Sequence, residues 1–351
     1  MTKLATIVAF LASMTTAMCQ LNERAVDELF QDFSGDHPGA AVMVIHDGKP
    51  VFAKAYGMAN VEKKVPCTTN TNFRLASVTK QFTAMGIMVL AGRHKLSLDD
   101  KITKFFPDFP KYGEQITVRH LLTHTSGVFD YDDHVPPGIT VQLKDKDVLK
   151  TVQEHDGTYF PPGTKFRYSN SGYALLALII EKVSGQTYAQ FQKANIFDPL
   201  GMKNTVAFEE GISTVQNRAY GYAPTNPGFV PADQSLTSAV LGDGGIYSSV
   251  VDMLKWDQAL NTEKLISRKM LEDAFTAHSS NSDMPGSGYG YGWYVAGPNH
   301  VWHYGSTCGF STKIERFPQK KTTIIVLTNR RDAGLSEITP KLVEIVMGAK
   351  L

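Results

Sequence analysis

Apolar and polar positions divide the chain into a strand-rich start, a helix-rich middle and a strand-rich end. Ala40 to Ile45 is apolar and β-branched, His46-Asp47-Gly48-Lys49 is polar, and Val51-Phe52-Ala53-Lys54-Ala55-Tyr56 follows. Two short strands around an Asp-Gly turn read as a hairpin. Val78 to Ala91 is almost wholly apolar and free of proline, which predicts a buried helix ended by Gly92. Shorter helices are expected over Val118–His124, stopped by Thr125-Ser126-Gly127, over Tyr173–Val183, stopped by Ser184-Gly185, and over Val250–Leu260. After residue 288 the pattern returns to strands, at Gly290–Val295, Ser311–Arg316 and Thr322–Thr328. The last two are joined by Phe317-Pro-Gln-Lys-Lys321 as in a hairpin, and Leu335–Met347 closes the chain as a helix. The economical architecture is α+β: one antiparallel sheet formed by the N- and C-terminal segments, with flanking helices and an inserted, mainly helical lobe over roughly 96–279. A pocket is expected where the two lobes meet.

Composition changes this picture little. The 351 residues are 42% hydrophobic and 20% charged, with a formal net charge of +1. That suits a globular domain and disfavours nucleic acid or an anionic membrane as partner. The first residues read differently. Met1-Thr-Lys3 is a positive start, Leu4–Ala12 is an apolar run too short to span a bilayer, and small and polar residues lead to Ala17-Met18-Cys19-Gln20. Residues 1–19 are expected to be an export signal, and the domain to occupy 20–351 as a secreted or periplasmic monomer. Cys67 and Cys308 then remain, either bridged or as two free thiols.

Three short motifs carry candidate chemistry. In Ser77-Val78-Thr79-Lys80 the spacing places serine and lysine on one helical face, one turn apart. A desolvated lysine gives up its proton more readily and can activate the hydroxyl, and a helix start stabilises an oxyanion. Lys80 also stands at the head of an apolar run, an odd place for a surface residue. In Tyr168-Ser169-Asn170, tyrosine is a candidate general base and asparagine a holder of a substrate amide, on a loop before a helix. In His303-Tyr304-Gly305-Ser306, glycine would let a substrate lie against a strand edge, and the Ser306 N–H would join that of Ser77 as an oxyanion donor.

Alone, each motif has an ordinary structural explanation. In order along one chain, Ser77-x-x-Lys80, Tyr168-x-Asn170 and His303-x-Gly305 resemble the serine β-lactamase-like hydrolases, the group of class C β-lactamases, D-alanyl-D-alanine carboxypeptidases, D-aminopeptidases and related esterases. Phe73–Lys80, Leu121–Gly127 and Gly244–Ser249 before Asp252-Met-Leu-Lys-Trp256 are similar too, so the resemblance runs from about Gly39 to Asn329. It implies that Ser77 is acylated, that Lys80 and Tyr168 share the proton work, and that Asn170, His303, Gly305 and Ser306 bind substrate. It implies no cofactor, and a small-molecule or peptide substrate. His303 stands where many members have lysine, and offers a substrate carboxylate a charge only when protonated. The expected activity is cleavage of an ester or amide, in a D-amino-acid peptide or small ester. The alternatives are a β-lactamase proper and a non-catalytic binding protein with the same fold.

Other motifs point elsewhere and are set aside. His120 and His124 have i,i+4 spacing, but the glutamate of a His-Glu-x-x-His zinc site is missing. There is no Gly-x-Ser-x-Gly elbow, and Gly286–Gly292 does not fit a dinucleotide-binding loop.

Overall fold

The computed structural model describes residues 21–135, 138–281 and 284–348. The expected export signal lies outside the described residues. Eight antiparallel strands form the main sheet. In spatial order they are Ser279–Ser280, Gly288–Tyr289, Tyr294–Val295, Val301–Thr307, Phe310–Phe317, Thr322–Thr328, Ala40–His46 and Lys49–Tyr56. The two chain ends meet at its centre, where Ala40–His46 pairs with Thr322–Thr328 in register from Ala40 opposite Thr328 to His46 opposite Thr322.

Both faces of these central strands are covered. Ala41, Met43, Ile45, Ile325 and Leu327 face the large core shared with the helical lobe. Ala40, Val42, Val44, Ile324 and Val326 face a smaller core closed by Val26, Leu342 and Val343 from the terminal helices Glu23–Leu29 and Leu335–Met347, and by Phe30 just after the first of them. Side chains alternate across a strand, so a run apolar at every position needs a partner on each face. The hairpin expected between the first two strands is present, with Asp47 and Gly48 both at positive φ.

Helix Lys80–Gly92 runs through the large core and is buried at every residue from Lys80 to Leu90. It packs against helix Asn170–Ser184 and the short helix Leu241–Gly244. Three sequence expectations change. The helix begins at Lys80, because residues Ala76–Thr79 form a tighter 3₁₀ turn. The helix expected from Tyr173 begins at Asn170, because Ser169 caps it by accepting from Gly172 N–H. The strand expected at Gly290–Val295 is two short ones, Gly288–Tyr289 and Tyr294–Val295, with a turn between. Cys67 and Cys308 are both free thiols.

Candidate active site

Ser77 sits in the 3₁₀ turn and is partly exposed, whereas its neighbours Ala76, Val78, Thr79 and Lys80 are buried. Ala76 has φ +49°, a strained value for a residue with a Cβ. The surroundings hold that turn in place. Leu75 N–H donates to the Ile246 carbonyl, and its own carbonyl accepts from the Thr312 hydroxyl at 2.7 Å. Gly305 lies against the same turn. A Cβ there would come within 2.4 Å of the Leu75 carbonyl oxygen and 2.9 Å of Ala76 Cβ. The glycine therefore serves the approach of strand Val301–Thr307 to the Ser77 turn, not the approach of a substrate expected from sequence.

Lys80 is fully buried. Its Nζ donates to Ser77 Oγ at 3.2 Å, to Asn170 Oδ1 at 2.7 Å and to the Asp243 carbonyl at 3.0 Å. Three acceptors use all three N–H groups of an ammonium. Burial pulls the Lys80 pKa down, and the carboxylates of Asp243, Asp130 and Asp132 oppose it in part. Burial conversely raises the Asp243 carboxyl.

Asn170 is clamped from the other side. Its Nδ2 donates to Asp132 Oδ2 at 2.6 Å and its backbone N–H to Asp130 Oδ2 at 2.7 Å. Tyr131, between those acids, donates its hydroxyl to Asp243 Oδ2 at 2.7 Å. These residues belong to the segment after the Thr125-Ser126-Gly127 stop, which sequence reasoning left unplaced. The only signal there is the acidic run Asp130-Tyr-Asp-Asp133.

Tyr168 is half-buried, with Lys80 Nζ 4.8 Å from its ring centre and its hydroxyl within hydrogen-bonding reach of Ser77. Burial holds the phenol protonated, well above its ordinary range. Its ring lies 4.3 Å from that of His124, itself buried and accepting the Ser169 N–H at Nδ1. His120 instead uses Nδ1 to accept from Thr117 N–H at the start of its own helix.

His303 needs correction. It is 1% exposed and turned away from the cleft. Its Nε2 lies 2.9 Å from the Tyr289 hydroxyl and its Nδ1 2.7 Å from the Tyr304 carbonyl. A carbonyl only accepts, so Nδ1 carries the proton and Nε2 accepts from Tyr289. Burial, helped by nearby Lys80, pushes the imidazole down to about 3. His303 is thus a neutral part of the wall behind Tyr168, not a substrate contact or a cation. Its strand neighbours fare differently. Among the described residues, strand Val301–Thr307 pairs with Tyr294–Val295 only at Val301 and Trp302, which leaves its edge open from His303 onward. Ser306 and Thr307 line a cleft of about 60 Å³ with Ser77, Asn170 and Asp132. The structure thus brings Ser77, Lys80, Tyr168, Asn170 and Ser306 together, with Gly305 behind the turn that carries Ser77.

A family model described as Beta-lactamase matches residues 24–344. Penicillin-binding protein 4* of Bacillus subtilis is 34% identical over 339 residues, spanning 90% of this chain and 73% of its own. Among solved structures, the octameric penicillin-binding protein homologue from Pyrococcus abyssi superposes with a TM-score of 0.81 at 32% identity, covering 93% of this chain and 77% of that one. The D-amino acid amidase from Ochrobactrum anthropi SV3 gives 0.79 at 25% identity, covering 93% and 98%.

Proposed function

Since the chain belongs to the Beta-lactamase family, a family of serine hydrolases, we propose that it hydrolyses an ester or amide through a covalent acyl-enzyme on Ser77. The observation that carries this reading is the fully buried Lys80 ammonium 3.2 Å from the hydroxyl of a partly exposed serine. Ionising a buried lysine costs enough to make it a base near neutral pH.

The step runs as follows. Lys80, in its neutral form, takes the Ser77 proton as Oγ attacks the carbonyl carbon. The carbonyl electrons move to oxygen, at the N–H groups of Ser77 and Ser306. Collapse restores the carbonyl and expels the alcohol or amine, which receives its proton through the Tyr168 hydroxyl; Tyr168 regains one from Lys80. Water then attacks the acyl-enzyme, gives its proton to the same pair, and the acid leaves as Ser77 is reprotonated. Tyr168 acts here as a relay, because its buried phenol is held protonated in the resting site.

Peptides containing D-amino acids and small esters are the leading substrates, and the amidase and penicillin-binding relatives support that choice. The same reading treats residues 1–19 as an export signal and the mature enzyme as a secreted or periplasmic monomer. Intact-mass measurement with a fluorophosphonate tests the chemistry. One adduct is expected on the wild type and none on Ser77→Ala. Absence of any adduct with fluorophosphonates or β-lactams, or its persistence in Ser77→Ala, sinks the reading.

A further inference from the structure

We propose that Asp145, on helix Asp145–Gln153 of the helical lobe, is a positioning residue for Lys80. Its carboxylate caps the short helix Leu241–Gly244 and so fixes the Asp243 carbonyl to which Lys80 donates. This rests on the reading of Lys80 as the base that activates Ser77.

The first N–H groups of a helix have no partner within it, and a side chain at the N-cap ordinarily accepts one of them. Helix Leu241–Gly244 follows Val240, whose side chain carries no acceptor. Asp145 fills that place from 96 residues away. Its Oδ2 accepts from Leu241 N–H at 2.9 Å and its Oδ1 from Gly242 N–H at 3.0 Å. The carbonyls of the same short helix are held by the core helix. That of Gly242 accepts from the Thr83 hydroxyl at 2.6 Å, and that of Asp243 from Lys80 Nζ at 3.0 Å. Helix Asn170–Ser184 closes a third side, since a Cβ on Gly242 would lie 2.3 Å from the Tyr173 carbonyl oxygen. Gly244 then lies against Ala76 of the Ser77 turn.

Asp145 is an expensive way to hold a helix. It is buried, and burial pushes its carboxyl up to about 7 against the pull of the two N–H groups. A buried carboxylate costs stability that an apolar residue would not. What it supplies in return is a pair of acceptors aimed at one helix end. Asp145 lines a different hollow from the one that holds Ser77, so it acts on the reaction through the short helix and not by touching substrate.

The test uses three variants. Asp145→Asn keeps one acceptor and turns the other into a donor, Asp145→Ala keeps neither, and Thr83→Val frees the same helix at the Gly242 carbonyl. Each is assayed on p-nitrophenyl acetate across roughly pH 5–10, with rates divided by the amount of enzyme that a fluorophosphonate labels. Lys80 also faces Asp130 and Asp132, the rings of Tyr168 and Tyr173, and the neutral imidazoles of His124 and His303, and no substitution touches these directly. Losing an acceptor disfavours the ammonium. The limb on which kcat/KM rises as Lys80 loses its proton should therefore move to lower pH, by about one unit in Asp145→Ala and by less in the other two. Plateau kcat per labelled site should fall about tenfold in Asp145→Ala, because Lys80 is no longer held toward Ser77 Oγ, while KM stays within about twofold. A residue that only stabilises the fold would lower the labelled fraction and leave the limb in place. A limb and plateau unchanged per labelled site, a limb that moves upward, or a change confined to KM overturns the proposal. If Asp145→Ala yields no labelled protein, the other two variants decide by the same criteria. A wild type that forms no adduct, or whose profile lacks the limb, defeats the reading of Lys80 as base, and this proposal with it.

Discussion

Lys80 and His303 show how burial sets a residue's role. Both are enclosed, and burial disfavours the charged form of each. Lys80 keeps three acceptors and stays poised between its two forms. His303 has one donor and one acceptor and stays neutral. If Lys80 is the base, it works deprotonated, so kcat/KM should rise with pH on a limb below the ordinary lysine value of about 10.4. Lys80→Arg, whose guanidinium keeps its proton, should lose roughly 10²–10⁴ in kcat. A pH–rate profile on p-nitrophenyl acetate checks both. A limb at the ordinary value, or full activity in Lys80→Arg, rules out this role. His303 makes a prediction about stability. Its folded pKa, about 3, lies below its unfolded value of about 6.5, so the unfolded chain binds more protons between them. The contribution is intact above about 6.5 and is lost as pH falls. By pH 5 it amounts to roughly 2 kcal/mol. Buried Asp145, raised to about 7, works in the opposite direction, so the measurement must be a difference. Urea unfolding at pH 7 and pH 5 should show a smaller acid loss in His303→Gln than in the wild type. Equal losses would refute the assignment.

At the scale of elements, the contact between strand Val301–Thr307 and the Ser77 turn is the decisive one. Gly305→Ala should destabilise the fold by about 1–3 kcal/mol, because its Cβ meets backbone oxygen that cannot swing aside. Fluorophosphonate labelling of Ser77 should slow as well, since the turn itself must shift. A thermal melt with a labelling time course measures both, and labelling at the wild-type rate would mean that the strand does not position the serine. Locally encoded elements were legible in sequence. Helix Leu335–Met347 and the Ala40–Tyr56 hairpin follow from apolar pattern and turn residues alone. Boundaries set by distant partners were not. The start of helix Asn170–Ser184 depends on Ser169 capping, with the Asp130 carboxylate and the His124 ring holding the backbone N–H groups of Asn170 and Ser169.

Across the whole molecule, the site is a meeting of segments far apart in sequence. Ser77 and Lys80 come from the core helix and its leading turn, Asp130–Asp132 and Tyr168–Asn170 from the helical lobe, Asp243 from a short helix, and Ser306 from the far strands. The sheet makes this possible by joining both chain ends, with the lobe on one face and the terminal helices on the other. The sequence alone determined the α+β class, the pairing of Ser77 with Lys80 one turn on, and the order of the motifs. Those depend on side-chain spacing and hydrophobic period, which are local properties. Only the tertiary structure decided that His303 is buried and held neutral, that Gly305 packs against the Ser77 turn, and that Asp132 lines the cleft beside Ser77. Charge state and accessibility depend on what the fold places around a group, and motif spacing does not record that.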